Sequence, residues 1–293
     1  MKVALTGGTG FIGSHVLADL YKHGHEVTAL VRNDDQADVV AARGATPTVV
    51  DLHDRPRVVS LFRAADGAIH TASPGDASSA DLDNAVVDAA IDAYAGTGKP
   101  YIEISGLWIY GANTSITEDS PFQAPALVAW KEPIERRVLA VNDMRGVVVV
   151  SGVAYGDGGG GIPGILLGSP RDNQGNLIML GTGQQHWPTV HVADLADFFR
   201  RILEHDTARG YYVIGNGLNA TVAELTGAAA VAVGAPSAVP GSDEEARQRL
   251  GDYFAEVLLL DQGTTAARAR TELDWAPSHP GLIEEFRNGS YRN

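Results

Sequence analysis

The stretch from Lys2 to Gly13, KVALTGGTGFIG, constrains the fold more than any other part of the chain. The apolar run Val3–Leu5 is typical of a buried strand, and helical periodicity runs from Phe11 to Gly24. Glycines at positions 7, 10 and 13 lie between and at the start of these elements. Such glycines permit a tight turn, close approach of the backbone to a pyrophosphate, and close helix–strand packing. The stretch therefore predicts a strand–turn–helix phosphate site, with the helix N-terminus facing the anion.

The chain up to residue 152 alternates short apolar runs with helical periodicity, as parallel α/β sheets do. Six strands are predicted, and the last contains an uninterrupted valine run typical of a strand buried on both faces. They cover residues 3–5, 25–32, 46–50, 67–71, 100–105 and 145–152. The pattern predicts an α/β fold, a Rossmann-type doubly wound parallel sheet with right-handed crossovers. Ligands of such sheets bind outside the carboxyl ends of the strands.

The pattern changes beyond residue 152. Residues 156–164, GDGGGGIPG, are so rich in glycine that they indicate either a mobile flap or a disordered surface loop. A further strand is predicted at 211–215, and the chain after residue 219 reads as mostly helical. We therefore predict a Rossmann domain made of residues 1–152 plus about 186–216. A smaller, mostly helical substrate-binding lobe would contain about 153–185 plus 217–293.

Composition narrows the classes of function. The 293-residue chain has a net charge of −14, which argues against a nucleic-acid partner because phosphate binding needs clustered Lys and Arg. With no cysteine, disulfides, thiolate catalysis and cysteine-ligated metals are excluded, and no other metal-ligand spacing is present. No apolar run approaches the roughly 18 residues of a membrane helix. The first residues enter a predicted strand directly, so we expect no signal peptide and a cytoplasmic protein.

The segment TGGTGFIG has the spacing TGxxGxxG and resembles the extended short-chain dehydrogenase/reductase family, which contains NAD-dependent epimerases and dehydratases. WPTVHVADLA, Trp187–Ala196, resembles a second segment of that family. The ending RTELDWAP resembles a third, with Asp274 where glycine is usual. The resemblance spans nearly the whole chain and implies a dinucleotide cofactor and a small carbonyl or alcohol substrate. It also implies a homodimer through helices at about 79–94 and 130–141.

Arg32 ends the second predicted strand, where the adenosine ribose lies in dinucleotide folds. An acidic residue there binds the 2′-hydroxyl of NAD, whereas the planar fork of an arginine accommodates the 2′-phosphate of NADP. NADP(H) is therefore favoured over NAD(H). The alternative is a surface arginine paired with Asp34 or Asp35.

The resemblance implies that Asp51 accepts a hydrogen bond from the adenine amino group. Asp51 is also a candidate cap for the helix that starts near Pro56, and the two roles are compatible. The motif and the resemblance together predict one set of cofactor-binding residues. They are Gly7, Thr9, Gly10, Phe11, Ile12, Gly13, Arg32, Asp51, Leu52, Thr71, Ala72, Ser73, Lys131 and Val153.

The catalytic residues of the resembling family are incomplete in this chain. That family uses Ser/Thr, Tyr and Lys, the last two four residues apart on a helix, where the ammonium lowers the pKa of the phenol. Lys131 falls at the lysine position, but Leu127 stands where the tyrosine should be. In ISGLWIYG, Gly106 replaces the second hydroxyl residue and only Ser105 remains. The chain therefore resembles the atypical members of the family.

Lys131, Tyr110 and Ser105 are the catalytic candidates that remain, and His186 is a weaker candidate for a proton donor. Lys131 would hold the nicotinamide ribose, or it would form an ion pair with Glu135 on a solvent-facing helix surface. Two functions follow. One is an NADP(H)-dependent oxidoreductase, or an epimerase/dehydratase-like enzyme, with a non-standard site. The other is a non-catalytic NAD(P)-binding sensor whose residues 156–164 respond to the cofactor.

Overall fold

The computed structural model describes residues 1–292. Its strands are β1 (Lys2–Thr6), β2 (Glu26–Val31), β3 (Thr46–Val49), β4 (Gly67–His70), β5 (Pro100–Gly106), β6 (Asn113–Ile116), β7 (Arg145–Ser151), β8 (Val153–Tyr155), β9 (Leu177–Ile178), β10 (His186–Trp187), β11 (Thr189–His191), β12 (Gly210–Ile214), β13 (Ala220–Thr221), β14 (Ala238–Val239) and β15 (Gln262–Thr264).

The helices follow the strands closely along the chain, and a short 3₁₀ helix, Leu107–Tyr110, comes directly after β5. The α-helices are α1 (Phe11–Lys22), α2 (Asp34–Ala41), α3 (Arg55–Arg63), α4 (Ser79–Tyr94), α5 (Lys131–Ala140), α6 (Gly161–Leu167), α7 (Val192–Glu204), α8 (Val222–Ala232), α9 (Asp243–Leu250), α10 (Asp252–Leu258), α11 (Ala267–Leu273) and α12 (Leu282–Asn288). No helix within residues 1–292 is both long and apolar enough to cross a membrane.

The chain divides into two compact units. The first contains Met1–Ser105, Trp130–Val149 and Leu195–Tyr212, and the second contains Gly106–Ala129, Val150–Asp194 and the chain from Val213 onward. The functional division into a cofactor domain and a substrate lobe stays a prediction, and residue 293 of that predicted lobe lies outside the described residues.

A seven-stranded sheet, most of it in the first unit, has the order β12-β7-β5-β4-β1-β2-β3. β1 lies near its middle and pairs in parallel with β2 on one side and β4 on the other. Because the chain leaves β1 in one direction and returns on the other side, the sheet is doubly wound, with a switch point between β1 and β4. The predicted α/β fold is confirmed. The strand predicted at 211–215 is β12, at the edge of this sheet.

Helix α4 is packed firmly in the first unit. Its apolar stripe, which includes Val86, Ala90 and Tyr94, is fully buried in a core shared with α3. The ring of Tyr94 stacks on Phe62 with centroids 6.0 Å apart, and its hydroxyl donates to the Phe62 carbonyl over 2.9 Å. This packing fixes the position of the polar residues that α4 contributes.

The glycine-rich segment at 156–164 belongs to the second unit and differs from the prediction. Residues 156–159 form a turn, and α6 begins at Gly161. The amides of Gly156 and Gly158 donate to the hydroxyls of Tyr291 (2.7 Å) and Ser290 (2.8 Å). The Tyr291 hydroxyl in turn donates to the Gly159 carbonyl. The segment is a turn and a helix anchored by the C-terminal residues, because these hydroxyls satisfy its backbone groups.

The second unit also explains one departure from the resembling family. Asp274 ends α11 with φ +47° and ψ +36°, a left-handed conformation that favours glycine. The next residue, Trp275, is fully buried, and its indole N–H donates to the Asp194 carbonyl over 3.0 Å. The left-handed residue therefore turns the chain so that the tryptophan can enter the core.

Candidate dinucleotide-binding site

The turn between β1 and α1 leaves the start of α1 open. The amide of Gly10 donates to the Gly7 carbonyl over 2.8 Å, which closes the turn. Gly10 is the N-cap of α1 and has no side chain to accept hydrogen bonds from the first-turn amides. These amides, together with the positive end of the helix dipole, form an anion-binding surface.

Two of the glycines are required by sterics. Gly7 has φ +76°, and a Cβ there would lie 2.6 Å from the Ala72 amide nitrogen. A Cβ at Gly13 would collide with the Gly7 carbonyl oxygen and lie 2.6 Å from Thr71 Oγ1. The turn, the first turn of α1 and the segment after β4 are thus in close contact. This is the packing that the glycine spacing predicts.

A cleft of about 460 Å³ opens beside this turn in the first unit, within the usual size range of a ligand pocket. Nine of the predicted cofactor-binding residues line it: Gly7, Thr9, Gly10, Arg32, Asp51, Leu52, Thr71, Ala72 and Ser73. Phe11, Ile12 and Gly13 form the first turn of α1 next to it. Val153 lies on β8 in the second unit. The structure therefore brings most of the predicted set together.

Arg32 is exposed on the wall of the cleft, and within residues 1–292 it forms no ion pair. The alternative prediction, a pair with Asp34 or Asp35, is therefore wrong. Its backbone amide donates to Gln36 Oε1 over 3.0 Å. The guanidinium is thus a cation on the cleft wall that is not held in an ion pair.

Sequence reasoning missed Gln36, which also lines the cleft. The amide of Gln36 donates to Asn33 Oδ1 over 2.9 Å, so Asn33 caps α2 while Gln36 reaches back to the strand end. This is close to a capping box, and the spacing Asn-x-x-Gln was the available signal.

Asp51 is exposed on the cleft wall, and its Oδ1 accepts from the His53 amide over 2.9 Å. The interpretation of Asp51 as a helix cap is wrong. Asp54 caps α3, because its side chain accepts from the Arg57 amide over 3.2 Å.

Lys131 is the first residue of α5, and its Nζ donates to Asp83 Oδ2 over 2.8 Å and to the Ile104 carbonyl over 3.3 Å. Its side chain is 17% exposed, whereas that of Asp83 is 3% exposed. The predicted alternative, an ion pair with Glu135 on a solvent-facing surface, is wrong because Glu135 is fully buried. Leu127 lies in the turn before α5, and so the helix does not extend to the tyrosine position.

Buried polar residues continue from Lys131 into the sheet. Asp83 Oδ1 lies 3.2 Å from His70 Nε2, and His70 Nδ1 lies 2.6 Å from Thr6 Oγ1 at the end of β1. Thr71, on the cleft wall, donates through Oγ1 to the Thr6 carbonyl over 2.8 Å. A chain of side-chain contacts therefore runs from Lys131 to the strand that carries the glycine turn. His70 is a buried histidine with both ring nitrogens in hydrogen-bond contact.

Two further carboxylates face this chain. Glu103 and Glu135 are fully buried, and the hydroxyls of Tyr101 and Ser105 lie near them. Glu103 Oε1 lies 3.9 Å from Lys131 Nζ. Burial raises the pKa of Glu103 to about 8, against the attraction of Lys131. Burial also raises the pKa of Glu135, against the nearby Ser105 hydroxyl and Lys131.

The neighbouring groups determine the charges of Asp83 and Lys131. Burial opposes ionisation of Asp83, but His70 and Lys131 outweigh it and hold its pKa below the usual value. Burial likewise opposes the Lys131 ammonium, but Glu103 and Asp83 outweigh it and raise its pKa. Asp83 thus balances the Lys131 ammonium, and Glu103 is protonated at neutral pH.

The other catalytic candidates lie in different places. Ser105 is buried in the first unit near Glu135. Tyr110 is buried in the second unit, in the 3₁₀ helix, with its ring 5.1 Å from that of Phe122. His186, in the same unit, is partly exposed, and its Nδ1 lies 2.8 Å from Asp261 Oδ1. Within residues 1–292 no group of three or more His, Cys, Asp or Glu side chains is arranged to hold a metal ion.

Comparisons with known structures agree with this fold. The human epimerase family protein SDR39U1 (isoform 2), crystallised with NADPH, is 23% identical with a TM-score of 0.76 over 99% of both chains. A dTDP-glucose 4,6-dehydratase from Bacillus anthracis, in complex with NAD, is 15% identical with a TM-score of 0.76 over 100% of this chain and 98% of its own. These likenesses establish the fold.

Sequence comparison establishes the family. An uncharacterized protein of Schizosaccharomyces pombe is 28% identical over 297 residues, which cover 99% of this chain and 100% of its own. The model of the NAD dependent epimerase/dehydratase family matches residues 3–215, most of the chain. As TGGTGFIG predicted, the chain belongs to the NAD-dependent epimerase/dehydratase family of extended short-chain dehydrogenases/reductases.

Proposed function

We propose that this protein is an NADP(H)-dependent oxidoreductase that acts on a small carbonyl or alcohol without the tyrosine of its family. The observation that carries the proposal is the cleft of the first unit. It combines an uncapped helix N-terminus, a sterically required glycine turn and the unpaired cation Arg32. NADPH in the human relative and NAD in the dehydratase, as their structures are described, support a nicotinamide dinucleotide at such a cleft.

In this proposal the pyrophosphate binds the amides of the first turn of α1. Arg32 faces the 2′-phosphate, and Asp51 with Leu52 binds the adenine side. Residues 71–73 and Lys131 support the nicotinamide half, and the bound cofactor supplies or accepts hydride. The predicted lobe, about 153–185 plus 217–293, binds the substrate. Tyr110, Ser105 and Val153 remain predicted site residues.

Replacing Arg32 with alanine is expected to weaken NADPH binding by about 10- to 100-fold, because a charge-assisted hydrogen bond contributes about 1.5–3 kcal/mol. NADH, which has no 2′-phosphate, is expected to change by less than about threefold. Calorimetric titration of both cofactors measures the change. Arg43→Ala, an exposed arginine outside the cleft lining, is the matched control and is expected to bind both cofactors like the parent protein. Equal losses for NADPH and NADH would contradict the assignment of Arg32.

A second candidate function is a non-catalytic NAD(P)-binding sensor, which the start of α5 at Lys131 and the missing tyrosine favour. NADPH oxidation across a panel of carbonyls and enones, bulky aromatic ones included, separates the two. The oxidoreductase proposal predicts turnover with some member of the panel. Tight NADPH binding without turnover of any member would favour the sensor.

A further inference from the structure

We propose that Glu103 stores the proton that Lys131 delivers to the substrate oxygen, so that this pair replaces the absent tyrosine. The inference rests on the proposed oxidoreductase function. In the first unit, the single ammonium of Lys131 lies among three buried carboxyl groups, those of Asp83, Glu103 and Glu135. An ion pair needs only one of them.

Geometry assigns different roles to these groups. Asp83 holds Nζ of Lys131 by a direct hydrogen bond of 2.8 Å, and the Ile104 carbonyl accepts a second over 3.3 Å. Glu103 Oε1, at 3.9 Å from Nζ, lies about 1 Å beyond hydrogen-bond distance. Lys131 is partly exposed, whereas Glu103 is fully buried, so Lys131 is the member that can meet a ligand.

The charged and titratable groups near Glu103 lie on three elements of the first unit. Asp83 faces it from α4, Lys131, Glu135 and Arg137 face it from α5, and Tyr101 lies near it on β5. The negative neighbours Asp83 and Glu135 favour its protonated form, while Lys131 and Arg137 oppose that form. Full burial also favours the protonated form of Glu103. At neutral pH Glu103 therefore carries a proton beside an ammonium that Asp83 already balances.

The proton transfer balances as follows. Hydride from a dihydronicotinamide forms a C–H bond at the carbonyl carbon, and the C=O π pair becomes an alkoxide lone pair. The alkoxide takes a proton from Lys131 Nζ, and the N–H electrons remain on nitrogen. The neutral amine then takes the proton of Glu103, and those O–H electrons remain on the carboxylate. Water reprotonates the pair through the exposed Lys131 after the product leaves. The dihydronicotinamide is oxidised, the carbonyl is reduced and one proton is consumed.

Infrared spectroscopy of the ligand-free protein tests the stored proton directly. Between pH 6 and pH 10 we expect a protonated carboxyl band of Glu103 that disappears with a midpoint near pH 8. Glu103→Gln, which is isosteric with a protonated Glu, is expected to remove this band, and Glu135→Gln is expected to leave it. A Glu103→Gln spectrum that has lost no protonated carboxyl band would overturn the inference.

Kinetics with a carbonyl from the panel tests delivery of the proton. We expect Glu103→Gln to lower kcat about 100-fold, the lower range for general acid catalysis, with KM for NADPH within about twofold. The parent kcat should fall as the pH rises above about 8, and Glu103→Gln should lose this dependence. Glu103→Asp, which keeps the acid, is expected to recover part of the rate. A merely structural role would leave the pH profile unchanged, and that result would overturn the inference.

The failure of the proposed function has a different signature. If calorimetry detects no cofactor binding, or if the parent protein oxidises NADPH with no carbonyl, then the oxidoreductase proposal fails and the proton delivery fails with it. If the parent protein turns over and Glu103→Gln keeps its rate and pH profile, only the role of Glu103 is overturned.

Discussion

Gly13→Ala is expected to reduce the affinity for NADPH by about 100-fold or more. The added Cβ would collide with the Gly7 carbonyl oxygen and lie 2.6 Å from Thr71 Oγ1, so α1 must move away from the turn. Overpacking of this kind typically costs about 1–3 kcal/mol, and it displaces the very amides that are proposed to hold the pyrophosphate. Isothermal calorimetry measures the affinity, and urea unfolding checks that the variant is folded.

Gly8→Ala provides the control within the same turn. A Cβ at Gly8 would make ordinary contacts, 3.4 Å from Leu17 Cδ1 and 3.5 Å from Leu5 Cδ2. Gly8 is also absent from the lining of the cleft. The affinity of the Gly8→Ala variant for NADPH is therefore expected to stay within about threefold of the parent value. Gly13→Ala that folds and binds NADPH as tightly as Gly8→Ala would show that the turn is not the phosphate site.

Glu103→Gln is expected to become more stable than the parent protein as the pH rises. The pKa of Glu103 is raised from an ordinary 4.5 to about 8 in the folded state, so the unfolded chain releases this proton first. The parent therefore loses stability between about pH 4.5 and pH 8, and no more above that range. Each pKa unit corresponds to about 1.4 kcal/mol. Because Gln has no such proton, the difference in unfolding free energy should grow by about 2–5 kcal/mol across this window.

Urea unfolding of the ligand-free proteins at pH 5 and pH 8.5 measures this difference. Glu26→Gln, which alters an exposed carboxyl group on β2, is the control and is expected to show no such growth. A Glu103→Gln difference that is constant over the window would mean that Glu103 is ionised in the folded protein.

Local signals predicted the elements that depend on local chemistry. The bounds of α4, Ser79–Tyr94, match the prediction because an apolar stripe runs through its whole length. The turn after β1 matches because only glycine fits at Gly7 and Gly13. The observed start of α5 at Lys131 agrees with the helix predicted at about 130–141, and Pro133 in its first turn is a local signal for this start.

Local sequence signals did not predict the buried cluster of Asp83, Glu103 and Lys131. Glu103 lies in PYIEIS, whose pattern does not indicate that a carboxyl group is buried. Its environment comes from Lys131 and from Asp83, which contact each other across 48 residues of sequence. The glycine-rich segment at 156–159 is similar, because the hydroxyl of Tyr291 that anchors it lies 135 residues away from Gly156. The glycine content of such a segment indicates a flexible backbone, but it does not show which distant side chains hydrogen-bond to that backbone.

Side-by-side calorimetric titration of the purified protein with NADPH, NADP⁺ and NADH shows whether the cleft binds a nicotinamide dinucleotide. We expect all three to bind in the same stoichiometry, with NADPH and NADP⁺ at least about tenfold tighter because Arg32 meets the 2′-phosphate. No heat of binding with any of the three would contradict the cofactor site, and with it every catalytic role proposed for Lys131 and Glu103.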